Sequence, residues 1–164
     1  MDVFSREKRS QVMSSVKSID TKPEMIVRKY LHANGFRYGL HNQKLPGCPD
    51  IVLRKHRTII FINGCFWHGH DGCKHYTQPK SNTSYWMAKI RRNVERDAEN
   101  IAKLKSKGWH VITIWECELK SMRRKETLTN LVHTLRHNPV GYETNIENGL
   151  SIAAEPTIDY ELHD

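Results

Sequence analysis

Thr58-Ile59-Ile60-Phe61-Ile62-Asn63-Gly64-Cys65-Phe66-Trp67-His68-Gly69-His70-Asp71-Gly72-Cys73 begins as an apolar run and turns at Asn63-Gly64 into a segment crowded with chemistry. The run is short and β-branched, and polar residues bound it, so it reads as a buried strand. From Phe61 to Cys73 the chain then offers two thiols, two imidazoles, a carboxylate and a Phe-Trp pair.

Working outward, Asp50 to Arg54 reads as the preceding strand, joined through the polar Lys55-His56-Arg57 as a hairpin. A hairpin centred on His56 sets Asp50 opposite Ile62, at the end where the thiol-rich segment starts. Leu45-Pro46-Gly47-Cys48-Pro49 is a rigid, turn-rich approach, and Phe36 to His41 is a candidate first strand. Thr21-Lys22-Pro23-Glu24 starts a helix, with Thr21 as N-cap, Pro23 in the first turn and Glu24 as the reciprocal carboxylate. Ile26, Val27, Tyr30 and Leu31 form its apolar stripe, and Asn34-Gly35 ends it. Residues 1–20 have no sustained period and read as an arm or a short helix around Val12-Met13.

Downstream, a polar loop precedes a long helix predicted over 83–107. Trp86, Ile90, Asn93, Asp97, Ile101 and Leu104 share one of its faces, with Arg92, Arg96, Glu99 and Lys103 roughly opposite. Asn93 and Asp97 interrupt that apolar face. A buried carboxylate is costly unless paired, so Asp97 is either at the rim or in service at a site. Gly108 ends the helix, His110 to Trp115 is a fourth strand, and Leu128, Leu131, Val132 and Leu135 mark a last helix. The order αβββαβα predicts an α/β fold, a mixed sheet flanked by helices.

Charge is uneven. Residues 1–140 carry 26 basic and 12 acidic side chains, a net of +14, whereas residues 141–164 contain six acids and no Lys or Arg. A body that basic suits a polyanion such as nucleic acid. The acidic stretch reads as a mobile extension of a domain covering 1–140, with 1–20 as its arm. No run approaches a membrane span or a signal peptide, so the expectation is a cytoplasmic protein without a disulfide framework.

Cys65, His70, Cys73 and Cys117 have the softness and spacing of a closed tetrahedral zinc site that pins the loop after strand three to the end of strand four. His68, Asp71 or His75 are alternatives to His70 or Cys117, and plain buried thiols are the bland alternative. Cleaving a phosphodiester with magnesium needs oxygen ligands and a group that handles protons. Asp50 and the Ile62 carbonyl offer the first. His68 offers the second, with Asp97 to orient it and Glu24 to hold a metal-bound water. Each also has an ordinary reading, as a turn cap or surface histidine. Their convergence on one end of the sheet favours a site.

Leu45-Pro46-Gly47-x-Pro49-Asp50, Asn63-Gly64-Cys65-Phe66-Trp67-His68, Asn93-Val94-Glu95-Arg96-Asp97 and Trp115-Glu116-Cys117 resemble the very short patch repair (Vsr) endonucleases, in order and spacing over residues 5–137. The resemblance implies a restriction-endonuclease-like fold with a structural zinc. It also implies magnesium-dependent nicking of one DNA strand 5′ to the thymine of a T·G mismatch, such as arises when 5-methylcytosine deaminates beside a companion cytosine methyltransferase. It implies that Asp50 and the Ile62 carbonyl bind magnesium, that His68 is catalytic with Asp97 as partner, and that Glu24 stands behind them. It further implies Cys65, His70, Cys73 and Cys117 as zinc ligands and Phe66, Trp67 and Trp86 as an aromatic wedge in the base stack, with Met13 and Asn93 also at the DNA. Asn63 stands where the best-known members have a second histidine, so at that catalytic position it serves as a hydrogen-bonding group to phosphate or water. Ile62 stands in place of Thr and Cys48 in place of Arg. A restriction-type enzyme cutting both strands and a non-catalytic zinc-containing DNA-binding module are the alternatives. No dedicated dimerisation helix is evident, which predicts a monomer.

Overall fold

The computed structural model describes residues 5–137. The acidic extension at 141–164 lies outside the described residues. Four strands make one mixed sheet in the order β1 (Gly39–Leu40), β2 (Ile51–Leu53), β3 (Thr58–Asn63), β4 (His110–Trp115). The first three are antiparallel neighbours, and β3 and β4 are parallel. Parallel neighbours need a crossover, and the long helix α3 (Thr83–Ser106) supplies it.

Both faces of the sheet are covered, which is why β2 and β3 are apolar at successive positions. On one face Ile51, Leu53 and Ile60 pack with Val27 and Leu31 of α2 (Lys22–Ala33) and with Leu128, Leu131 and Leu135 of α4 (Arg124–Arg136). On the other face Val52 and Ile59 meet Leu104 of α3. The sheet is thus held between α2/α4 and α3, and the sequence order αβββαβα is the observed one. The preceding α1 (Arg6–Ser14) buries no residue. Ser5 caps it, accepting from the Lys8 N–H at 3.3 Å, so local capping rather than packing defines it. No described helix is long and apolar enough to cross a membrane.

Two details differ from the sequence-based expectation. The β2–β3 register pairs Ile51 with Ile60 and Leu53 with Thr58, one residue away from the pairing that sets Asp50 opposite Ile62. The turn has four residues, not three. The Arg57 N–H donates to the Arg54 carbonyl at 3.1 Å, and Arg57 adopts φ 50. Its guanidinium is tied to the Lys107 carbonyl at 2.8 Å. The first strand is also shorter than Phe36 to His41. Phe36 still closes α2 through its N–H to the Leu31 carbonyl, 3.0 Å, and its ring is buried in the core.

Candidate active site

The open ends of β2, β3 and β4 face a cleft of about 940 Å³, walled by α3 on one side and by the start of α2 and the 16–19 segment on the other. Asp50, Ile62, Asn63, His68, Asp97 and Glu24 all line it. Asp50 Oδ2 accepts the Ile62 N–H at 2.7 Å. Despite the shifted register, Asp50 and the Ile62 backbone therefore meet. In a strand a residue's N–H and C=O point to the same neighbour, so the Ile62 carbonyl also faces the Asp50 side. Burial pushes the Asp50 carboxyl above its ordinary range; the Ile62 N–H opposes the rise and the Glu24 charge adds to it. A half-buried carboxylate with a raised pKa beside a backbone carbonyl is a hard oxygen pair that a divalent cation would relieve of its charge penalty.

Glu24 is 2% exposed. Its carboxylate accepts from Thr21 Oγ1 at 3.1 Å, from the Asp20 N–H at 3.1 Å and from Arg28 Nη2 at 2.8 Å. Glu24 thus serves as the capping carboxylate of α2 and also lines the cleft.

His68 Nδ1 lies 2.5 Å from Asp97 Oδ2. A carboxylate only accepts, so Nδ1 carries a proton and, in the neutral ring, the lone pair is on Nε2. The loop that carries His68 is fixed on α3 from two directions. Asn93 Nδ2 donates to the Trp67 carbonyl at 2.9 Å. Gly69, at φ 59, comes so close to the helix that a Cβ there would sit 2.9 Å from Ile90 Cγ2. Asn93, expected at the DNA, is thus engaged within the protein, its Oδ1 also accepting from Arg96 Nη2 at 3.1 Å.

Behind this loop the ligand atoms of Cys65, His70, Cys73 and Cys117 all lie within 4.8 Å of one another. His70 Nδ1 stands 3.4 Å from Cys65 Sγ and 3.5 Å from Cys117 Sγ. Its ring stacks on Trp115 at 4.0 Å between centroids. Three sulfurs and one imidazole at this spacing are the donor set of a tetrahedral soft-metal site. Burial pushes the Cys65 thiol up to about 12 and Cys117 upward as well, a penalty that a bound cation reverses. His68 faces Asp97 instead. Asp71 is exposed and accepts from the next backbone N–H. His75 is exposed with Nδ1 3.2 Å from Lys120 Nζ. His70 is therefore the histidine that joins the three thiols.

Phe66, Trp67 and Trp86 form an edge-to-face cluster with centroids 5.2–5.8 Å apart, only partly buried. Lys89 Nζ stands over the Trp67 and Trp86 rings at 5.4 and 5.6 Å. Met13 sits half-buried on α1.

Comparison with known proteins gives this geometry a context. The sequence model of the family described as DNA mismatch endonuclease Vsr matches residues 1–75. The type II nicking enzyme V.NmeAIP of Neisseria meningitidis serogroup A is 47% identical over 136 residues, which is 82% of this chain and 96% of that protein. The type II nicking enzyme V.XorIIP of Xanthomonas oryzae pv. oryzae is 46% identical over 74% of this chain and 88% of its own. The DNA mismatch endonuclease Vsr of Escherichia coli K12 is 38% identical over 82% and 84%. The chain belongs to the Vsr family. It is a DNA endonuclease, and the mixed sheet between helices is the family's restriction-endonuclease-like fold.

Sequence reasoning missed several groups at this Vsr-type cleft. His41, Arg96, Asn100 and Glu116 also line it. Arg28, 6% exposed, reaches Asp20 Oδ1 at 2.6 Å and His41 Nε2 at 2.8 Å besides Glu24. Arg96 lies on the polar side of α3, and only the tertiary arrangement turns it toward the cleft. Arg28, four residues after Glu24 on one helix face, carried a legible signal as an i,i+4 partner.

Proposed function

We propose that this endonuclease nicks one strand of duplex DNA at T·G mismatches, 5′ to the thymine, as the opening step of very short patch repair. The observation that carries the reading is the His68–Asp97 pair sharing one cleft with Asp50 and the Ile62 carbonyl, beside a partly exposed Phe66-Trp67-Trp86 cluster. Asp50 and the Ile62 carbonyl are the ligands for magnesium, which when bound supplies a Lewis acid for the charge growing on the scissile phosphate. Asp97 holds His68 in the Nδ1–H tautomer, so Nε2 is free to take the proton of the attacking water, and the imidazolium formed is stabilised by the same carboxylate. Asn63, 9% exposed and lining the cleft, donates or accepts at a phosphate oxygen or a water. Glu24 holds a further water behind Asp50.

Cys65, His70, Cys73 and Cys117 hold a structural zinc that staples the His68 loop to the end of β4. Phe66, Trp67 and Trp86 enter the base stack. Unstacking costs a few kcal/mol and costs least at a weakened pair, which favours a mismatch. Met13 on the arm and Asn93, through the Trp67 carbonyl that it holds, support that wedge. The nicking activity named for the Neisseria and Xanthomonas relatives and the mismatch named for the Escherichia coli relative support this reading. The enzyme works as a monomer in the bacterial cytoplasm, through a domain at 1–140. It is linked to a DNA cytosine methyltransferase that generates its lesions and to the excision machinery that follows.

The test uses end-labelled duplexes that differ only in one T·G or C·G pair, with magnesium or EDTA, and wild type or Asp50→Ala. Nicking of the T strand alone, by wild type alone and with magnesium alone, is the expected result. Cleavage of both strands of the paired duplex would establish a restriction-type enzyme instead.

A further inference from the structure

The group formed by Asp20, Glu24 and His41 has the outward form of a second metal site, its ligand atoms all within 4.8 Å of one another. The cation there is already part of the chain. Arg28 reaches Asp20 Oδ1 at 2.6 Å, Glu24 Oε2 at 2.8 Å and His41 Nε2 at 2.8 Å. The contact with His41 is the informative one. A guanidinium is donor-only and permanently charged. At 2.8 Å His41 Nε2 must be the acceptor, so its lone pair faces Arg28 and the ring proton sits on Nδ1. Glu24 Oε2 is farther, at 3.4 Å from Nε2, and Arg28 Nη2 already donates to it. Two N–H donors cannot face each other at 2.8 Å.

The ring is also held in place. His41 adopts φ 44, uncommon for a residue with a side chain. Its backbone N–H donates to the carbonyl of Asp50 at 3.3 Å, so the main chain that carries the imidazole is tied to that of the proposed metal-binding aspartate. It lines the same cleft. Among the described residues its Nδ1–H makes no hydrogen bond. A fixed, neutral N–H donor therefore stands at the cleft, next to Asp50, with Lys17 and Arg96 also at the walls.

We propose that His41 binds a backbone phosphate of the DNA next to the scissile one through Nδ1–H, and that Arg28 is the positioning residue that fixes this tautomer. The inference rests on the reading of the Asp50 cleft as the nicking site. Phosphate oxygens are acceptors only, so a donor of fixed tautomer is the complement, and phosphate contacts set the register of a protein on the duplex. Asp20 and Glu24 would repel a phosphate were they uncompensated; Arg28 offsets one of the two charges, and Lys17 and Arg96 at the cleft walls supply further positive charge.

Single-turnover nicking of a T·G duplex tests this with wild type, His41→Gln, His41→Leu, Arg28→Lys and Asp50→Ala, alongside duplexes in which each phosphate near the incision is replaced singly by an uncharged methylphosphonate. His41→Leu should raise the half-saturating DNA concentration on the order of 10- to 100-fold, with the saturated rate changed far less. His41→Gln should recover most of the loss, because Oε1 can accept from Arg28 while the amide NH2 donates to phosphate. Arg28→Lys lacks the planar fork and should share the binding defect. One methylphosphonate position should weaken wild type but weaken His41→Leu no further. Wild-type binding by His41→Leu, or a methylphosphonate penalty equal in both proteins at every position, would overturn the assignment. So would a His41→Gln defect as large as that of His41→Leu. Nicking by Asp50→Ala would instead refute the cleft as the active site, so the two failures are distinguishable. Thermal midpoints read alongside show whether Leu has unfolded the protein, in which case Arg28→Lys takes its place in the methylphosphonate comparison.

Discussion

Gly69→Ala isolates the contact between the His68 loop and α3. Two costs can be worked from the geometry. Gly69 has φ 59, a left-handed conformation that disfavours an L-residue by roughly 1–2 kcal/mol. The added Cβ would meet Ile90 Cγ2 at 2.9 Å and Val94 Cγ2 at 3.1 Å. Val94 is 43% exposed and can turn away; Ile90 is 4% exposed and cannot. Overpacking against such a residue costs about 1–3 kcal/mol. The sum, about 3 kcal/mol, corresponds to a fall in thermal midpoint of roughly 10 °C for a domain of this size. Because Gly69 lies between His68 and His70, the loop can shed part of this cost only by moving both histidines. Nicking rate and zinc content should then fall together. Thermal unfolding, metal analysis and single-turnover nicking read the three effects. Ile90→Leu in the Gly69→Ala background removes the offending Cγ2 at constant volume. It should recover the steric part and leave the backbone part. Wild-type values in all three assays for Gly69→Ala, or no rescue by Ile90→Leu, would refute the reasoning.

Asp50→Asn should abolish nicking yet raise the stability of the metal-free protein at neutral pH by about 1 kcal/mol, since the amide oxygen can keep the Ile62 N–H while the buried charge is gone. The sign follows from the raised pKa of Asp50: an acid whose folded pKa exceeds its unfolded value stabilises the fold while protonated and loses that contribution as pH rises through the window between the two. Metal-free wild type should therefore lose stability relative to Asp50→Asn as pH rises from the ordinary carboxylate range upward, read by denaturant titration in EDTA, and magnesium should narrow the gap. Asp97→Asn should lower the nicking rate by on the order of 10²- to 10⁴-fold with unchanged DNA affinity, because the amide can present its NH2 to Nδ1 and so select the wrong tautomer; equal rates would refute the pairing. Cys117→Ser should lower zinc per chain and thermal stability before it lowers the activity of the remaining folded protein, and equal zinc in mutant and wild type would refute that ligand.

Much of this architecture was written in local pattern. The Thr21 cap, the face of α3 from Trp86 to Leu104 and the β-branched run of β4 each specify their element without help from the rest of the chain. The Asp97 interruption of an apolar helix face pointed to a partnered carboxylate, and the partner in the structure is His68. Other features depend on contacts distant in sequence. The hairpin register turned on Arg57 taking a left-handed conformation and clamping the carbonyls of Lys107 and Gly108, some 50 residues away. The choice of His70 over its neighbours needed the stacking surface of Trp115. Arg28 on α2 and His41 just after β1 lie 13 residues apart, and no period or spacing joins them.

Helix α3 carries the aromatic residue Trp86, the Asn93 amide that anchors the Trp67 carbonyl, and the carboxylate that holds the histidine, all on one rigid rod. From Trp86 to Asp97 is eleven residues, about three turns and roughly 16 Å along the axis. Adding or removing one residue between them would swing one of the two about 100° around the helix, off the shared face. With the roles proposed for Trp86 and Asp97, the separation between grip and cut behaves as a ruler graduated only in whole helical turns. On that proposal the incision point would move not by single residues but only in jumps of roughly 5 Å, more than the rise of one base pair.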